Sequence, residues 1–111
     1  MNVRIRALLV VLLALLIPRV ADAQWIDSGV QICTNWSTQY YHHMTPDSMG
    51  GALFVWEDFR TGDTNSDIYT QRIDSEGYLL WDVEGILVSG AASVQEKCKI
   101  IGDGNGGGIA V

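Results

Sequence analysis

The chain has 111 residues, of which 48% are hydrophobic and 18% are charged, and its formal net charge is −6. This length allows one small folded domain. The 13 acidic residues outnumber the seven basic ones, so no basic patch is available for a phosphate backbone. We therefore do not expect nucleic acid to be a partner.

The first 23 residues have the pattern of a secretory signal peptide. Arg4 and Arg6 precede an apolar run at 7–17, and Ala21–Ala23 supplies the small-x-small pattern that a signal peptidase needs. The run of 11 residues is shorter than the about 20 apolar residues that cross a bilayer, so no transmembrane span is expected. We predict cleavage after Ala23 and a secreted or cell-surface protein, whose remaining four basic and 12 acidic residues give a formal charge of −8.

Segments 25–55 and 81–111 resemble each other at a constant offset of 56 positions. Eight of the 31 aligned pairs are identical, where chance predicts roughly two, and such self-similarity indicates a repeat array. The identical pairs are Trp25/Trp81, Gly29/Gly85, Ser37/Ser93, Gln39/Gln95, Asp47/Asp103, Gly50/Gly106, Gly51/Gly107 and Val55/Val111. We therefore expect the end of a preceding repeat at 24–36, one complete repeat at 37–92, and the truncated start of the next at 93–111, so that the sequence is a fragment of an array.

The sequence after the signal peptide predicts strands and almost no helix. Four strands are expected in each repeat, separated by turns that contain Gly, Asn or Ser. In chain order the four strands are 44–46, 51–57, 67–74 and 78–81. The first has a counterpart at 100–102, and the fourth continues at 86–88 after an interruption near Gly85. Residues 53–56 are apolar on both faces of their strand, which favours a sheet covered on both sides, as in a propeller blade, over a two-layer sandwich.

The motif itself is similar to a known repeat. GGALFVWEDFR at 50–60, DIYTQRID at 67–74, Gly77 and Trp81 resemble the GGxxxxWxDxR...DIYxQRID..G...W repeat of large secreted bacterial proteins. This resemblance implies an all-β fold of four-stranded antiparallel blades in a β-propeller-like array, here preceded by a signal-peptide helix. The resemblance does not specify the ligand. We expect an exported, non-enzymatic interaction scaffold with a protein or glycan partner at the cell surface. The alternative is that these are non-catalytic blades of a secreted hydrolase, such as a carbohydrate-active enzyme.

Five residues of the motif are expected to have structural roles, namely Trp56, Asp58, Arg60, Tyr69 and Trp81. Asp58 and Arg60 lie on one side of a strand, and we expect a partly exposed ion pair that closes the hairpin end and contributes roughly 0.2–1 kcal/mol. Glu57 precedes Asp58, and neighbours on a strand point to opposite faces, so these carboxylates do not form the pair that a glycosidase needs. We predict no catalytic and no cofactor-binding residue.

Asp63, Asn65 and Asp67 have the D-x-N-x-D spacing of a calcium loop. An EF-hand needs Gly at the next position, where this chain has Ile68. A polar hairpin loop whose side chains cap their own backbone is the preferred interpretation, with calcium as the alternative.

Trp36, Tyr40 and Tyr41 are candidates for a ligand-binding platform on which a sugar could stack. Their counterparts 56 positions later are Ala92, Glu96 and Lys97, so the aromatic cluster belongs to this repeat only. The alternative is an ordinary loop between blades. Cys33 and Cys98 occupy non-equivalent repeat positions, and the sequence leaves open whether they pair or act as separate small hydrophobic residues.

We predict that exported protein begins at Gln24, because the cationic start, the apolar run and the Ala-Asp-Ala pattern all precede that residue. N-terminal sequencing and intact mass of the exported protein would measure this. Exported protein that retains Met1 in a membrane fraction would contradict the prediction.

Overall fold

The structure is a computed structural model that describes residues 27–92 and 94–111. The prediction of an all-β fold is confirmed for these residues, which contain strands and no helix. The described part accordingly holds no helix long and apolar enough to cross a membrane. The expected signal-peptide helix and its cleavage site lie outside the described residues.

Six strands make up two sheets. They are β1 (Gln39–Pro46), β2 (Ala52–Asp58), β3 (Asp67–Ile73), β4 (Ile86–Ser89), β5 (Ile100–Gly102) and β6 (Gly108–Ala110). Strands β1 to β4 form one antiparallel sheet in chain order, and β5 and β6 form a separate hairpin. The pairing of β2 with β3 is uninterrupted, whereas β1 is irregular between Tyr40 and His43, where Tyr41 has a positive φ of 49°.

Two strand predictions are wrong. Strand β1 is longer than the expected 44–46, because Gln39 reaches the far end of β2 and pairs with Asp58. Segment 78–81 is not a strand, since only Leu79 forms an isolated bridge to β3. The N–H of Trp81 donates to the side chain of Gln71 at 3.2 Å instead of continuing a ladder.

The two faces of β2 have different covers. On one face, Leu53 and Val55 pack with Ile68 of β3 and with Ile100 of β5. On the other, Trp56 stacks on Tyr69 with 6.3 Å between ring centroids, and Gly85 lies so close to the indole that an added Cβ would stand 2.6 Å from it. Both faces are therefore occupied, which explains why residues 52–56 of this strand are apolar on both faces.

Four turns share the sequence Asp-x-x-Gly, beginning at Asp47, Asp74, Asp82 and Asp103. In each turn the aspartate Oδ1 accepts the N–H two residues later, at 2.7 to 3.0 Å. The glycine has a φ between 81° and 89° in all four, a conformation that favours glycine. In each turn the aspartate side chain thus takes the place of a backbone hydrogen-bond acceptor.

The hairpin β5–β6 reproduces the register of β1–β2 at an offset of 56 residues. Met44 pairs with Phe54 in the first hairpin, and Ile100 pairs with Ala110 in the second. The positive φ of 49° at Tyr41 has a counterpart of 57° at Lys97. The two hairpins therefore agree at equivalent positions in strand pairing, in turn geometry and in one unusual backbone angle.

Replacement of Trp56 by Ala is expected to lower the free energy of unfolding by about 3 to 5 kcal/mol, as for other large buried aromatics. The side chain is 4% exposed and donates its indole N–H to Asp58. Trp36→Ala is the matched control, because Trp36 is fully exposed and should change stability by less than about 0.5 kcal/mol. Urea unfolding followed by circular dichroism would measure both, and equal effects would contradict the packing described.

Candidate functional site

The carboxylate of Asp58 is the polar centre of the sheet face that carries Trp56. It is fully buried at the end of β2 and accepts five hydrogen bonds. Oδ1 accepts from Ser37 Oγ, Arg60 N and Arg60 Nε, each at 2.9 Å. Oδ2 accepts from Trp56 Nε1 at 2.9 Å and Arg60 Nη2 at 2.7 Å. Both oxygens are thereby engaged by the protein itself.

Arg60 extends this network to the neighbouring loops. Its guanidinium carbon lies 3.6 Å from the ring centroid of Tyr69, a cation–π contact. Nη2 also donates to the carbonyl of Glu84 at 2.8 Å. With a side chain only 14% exposed and a fully buried partner, the ion pair is less exposed than the sequence suggested, so the surface value of roughly 0.2–1 kcal/mol does not apply.

The surroundings of Asp58 control its ionisation. Burial by itself would raise its pKa, but the hydrogen bonds from Arg60, Trp56 and Ser37 prevail and lower the pKa to about 2. The same contact with Asp58 raises the pKa of Arg60 above its ordinary value. The pair is thus fixed in its charged form and is not poised to exchange a proton near neutral pH.

A second ion pair, which the sequence analysis missed, joins the turn of Asp47 to β3. Arg72 Nε lies 2.8 Å from Asp47 Oδ2, and the aspartate side chain is 1% exposed. Burial acts to raise the pKa of Asp47, but hydrogen bonds from the N–H of Met49, Arg72 and the N–H of Gly51 bring it below its usual value. The guanidinium also lies against Gly106 of the next hairpin.

Two further buried polar residues bind backbone groups. Gln71 is fully buried, donates to the carbonyl of Asp82 at 2.6 Å and accepts from the N–H of Trp81. Glu57, 2% exposed, accepts the N–H of Lys97 at 2.7 Å. Because Glu57 and Asp58 serve separate partners, they do not flank a common substrate position.

The D-x-N-x-D segment forms a loop between β2 and β3. Asp67 is buried while Asp63 is exposed, and Asp67 Oδ2 accepts from Thr61 Oγ1 at 3.0 Å. Thr61 Oγ1 also receives the side-chain amide of Asn65. Among the described residues no group of three or more His, Cys, Asp or Glu side chains is placed to hold a metal ion.

The aromatic candidates lie at the surface and do not form a single flat platform. Trp36 is fully exposed, and Tyr40 and Tyr41 are 54% and 67% exposed. The ring of Tyr40 is inclined by 55° to that of Tyr41 and by 80° to that of Phe59. The structure brings the two tyrosines together, with centroids 6.2 Å apart, and records no ring contact of Trp36 with them.

The two cysteines are free thiols in separate surroundings. Cys33 lies 3.7 Å from Arg60 Nη2, beside the Asp58 network. Cys98 packs against the cluster of Leu53 and Val55, where burial raises the pKa of its thiol. The alternative of two independent small side chains therefore describes this structure.

Comparisons of the chain with family models, with curated proteins and with solved structures found no match. The similarity of its motif to secreted bacterial repeat proteins thus stays a prediction.

The low pKa of Asp58 predicts a pH-dependent contribution to stability. The pKa of Asp58 in the folded state, about 2, lies below its ordinary value of 3.8. The ionised carboxylate therefore stabilises the fold by about 2 kcal/mol above pH 3.8, and this stabilisation is lost as the pH falls through 2. The difference in unfolding free energy between wild type and Asp58→Asn should therefore shrink by about this amount between neutral pH and pH 2. Asp63→Asn, which removes an exposed carboxylate, is the control. A difference that does not vary with pH would contradict the assigned network.

Proposed function

We propose that this chain belongs to an exported, non-enzymatic array of 56-residue repeats that stack face to face in a β-propeller-like manner. The observation that carries the proposal is the equivalence of the hairpins β1–β2 and β5–β6 in register, turn geometry and backbone angle at an offset of 56 residues. One hairpin lies against the sheet of which the other is part. In this proposal the two hairpins begin successive units, and their contact is the contact between neighbours.

The contact between these two units has an apolar centre and a polar border. Ile100 of the second unit is 3% exposed and packs on Leu53 and Val55 of the first. Three backbone N–H groups of the second unit donate to the first: Lys97 to Glu57 Oε1 at 2.7 Å, Gln95 to the carbonyl of Ser66 at 3.1 Å, and Ile100 to His43 Nδ1 at 3.3 Å. Directed hydrogen bonds of this kind fix the register between stacked sheets.

The way polar groups are used supports a structural role over a catalytic one. Asp47, Asp58, Glu57 and Gln71 are buried and bind turn N–H groups, guanidinium groups or other backbone atoms. A catalytic acid or base needs a free lone pair or proton directed at a substrate cavity. These side chains instead hold the ends of strands and the neighbouring loops.

The site of action is inferred from the signal-peptide pattern, which favours an extracellular or cell-surface scaffold. The acidic composition argues against nucleic acid, so that a protein or a glycan is the proposed partner. Trp36, Tyr40 and Tyr41 provide exposed aromatic area for such a partner, since aromatic side chains are enriched at recognition surfaces.

The stacking of units is tested by Ile100→Asp. An unpaired carboxylate at this buried position should lower the free energy of unfolding by about 3 kcal/mol or more, and it should increase hydrogen exchange at the amides of 53–55 and 68. Val94→Asp is the control, because Val94 lies in the same unit and is 45% exposed. Unfolding measured at low protein concentration would compare the two variants. Equal stabilities would show that the hairpin does not depend on the first sheet and would contradict the proposal.

A further inference from the structure

Asn105 and Gly106 lie in the turn between β5 and β6, where the sequence is rich in glycine. Residues 102–108 read GDGNGGG, with five glycines. Asn105 is exposed, whereas Gly106 is buried. The side-chain amide of Asn105 is separated by one peptide bond from the nitrogen of Gly106, which no Cβ of its own residue shields. The glycines on either side also let the backbone rotate at low cost, so the amide carbon and this nitrogen can approach each other.

The exposure of Asn105 does not depend on its place near the end of the described chain. Its counterpart 56 positions earlier is Met49, in the turn between β1 and β2, and Met49 is 65% exposed. The following hairpin lies close to the turn of Met49, because the guanidinium of Arg72 contacts both this turn and Gly106. The turn of Asn105 has the preceding sheet beside it through the same guanidinium. The position is therefore exposed in both turns, although their neighbours lie on different sides.

The hydrogen bonds of the turn leave the nitrogen of Gly106 unused. Asp103 Oδ1 accepts the N–H groups of Asn105 at 2.7 Å and of Gly107 at 3.0 Å. The N–H of Asp103 donates to the carbonyl of Gly107 at 2.9 Å. Within residues 27–92 and 94–111, no group accepts a hydrogen bond from the N–H of Gly106. This nitrogen can therefore react without first losing a partner, whereas the carboxylate of Asp103 is held by two backbone donors.

We propose that Asn105 is a site of spontaneous deamidation. The nitrogen of Gly106 attacks Cγ of Asn105, and the new N–Cγ bond replaces the bond from Cγ to Nδ2. Nδ2 leaves as ammonia and carries the proton that the nitrogen of Gly106 loses. One water molecule then hydrolyses the cyclic imide. Cleavage of the N–Cγ bond gives aspartate, and cleavage of the bond between the nitrogen and the main-chain carbonyl carbon gives isoaspartate.

The position of Gly106 gives this reaction a structural consequence. Arg72 binds Asp47 in the first sheet, and its Nη2 would stand 2.5 Å from a Cβ added to Gly106. In the isoaspartate product the main chain passes through the Cβ of residue 105 and is longer by a methylene group. The turn then no longer fits the hydrogen bonds to Asp103, and Gly106 moves relative to the guanidinium. Deamidation of Asn105 therefore loosens the contact between the hairpin and the sheet.

Peptide mapping of the full 111-residue chain after incubation at mildly alkaline pH tests the proposal. Asn35, Asn65 and Asn105 fall in separate tryptic peptides, the last of which is 100–111. That peptide should gain about 1 Da and become a substrate for protein isoaspartyl methyltransferase. Asn105 should react about tenfold faster or more than Asn35 and Asn65, because both of these precede residues that have a Cβ. Isomerisation of Asp103 adds no mass and is thereby distinguished.

Two comparisons decide the outcome for the reaction itself. Asn105→Gln keeps an amide but lengthens the side chain, so peptide 100–111 of this variant should keep its mass. The wild-type chain in guanidinium chloride gives the rate of the unfolded sequence. If Asn105 reacts in guanidinium chloride but is no faster than Asn35 in the native protein, the folded turn protects it and the proposal is wrong.

The structural consequence is measured on the deamidated fraction, which anion exchange separates by its additional negative charge. Asn105→Asp is the matched control, because it adds the same charge and keeps a normal backbone. The deamidated fraction, which contains isoaspartate, should have a lower Tm than Asn105→Asp. An equal Tm would show that the contact of Arg72 with Gly106 tolerates the longer main chain, and it would overturn the proposed loosening.

Discussion

The buried carboxylate of Asp58 is the interaction on which the first sheet depends most. It gathers donors from three places in the chain, Ser37 before β1, Trp56 in β2 and Arg60 after it, and Arg60 in turn reaches the carbonyl of Glu84. Loss of the carboxylate would leave a buried indole N–H and a largely buried guanidinium without their acceptor, which costs more than an ordinary hydrogen bond contributes. The carboxylate of Asp58 therefore holds in place the segments that cover the sheet face of Trp56.

This dependence on polar contacts extends to the whole described part. Seven buried residues there are polar or charged and six are hydrophobic, so apolar burial alone defines the packing only partly. Among the buried side-chain nitrogen and oxygen atoms of this part, Asp67 Oδ1 lacks a hydrogen-bond partner, and many of the others bind backbone groups of turns. Networks of this kind select one arrangement of loops around a thin core, because any other arrangement leaves donors unsatisfied.

The local sequence pattern was sufficient to predict some elements of the structure and not others. Strands β2 and β3 could be predicted within one residue at each end because both are rich in β-branched and aromatic residues and are bounded by turn-forming stretches. The first half of β1 is polar and exposed, and only its pairing with distant β2 makes it a strand. The expected pair of Asp58 and Arg60 forms, although Arg60 lies in the turn after β2 and not on the strand. Their burial could not be predicted, because Ser37 and Glu84 are brought by tertiary folding, as is the Arg72–Asp47 pair across 25 positions.

The glycines of the turns connect the local pattern with the packing between sheets. Gly106 has a φ of 84°, and a Cβ at that position would stand 2.5 Å from Nη2 of Arg72. Arg72 binds Asp47 in its own sheet and touches the next hairpin at this glycine. The Asp-x-x-Gly sequence thus meets two requirements at once: the aspartate and positive φ close the turn, and the missing side chain lets the arginine of the neighbouring sheet approach. A turn motif that recurs at offset 56 therefore constrains how closely hairpin and sheet can pack as well as how the chain reverses.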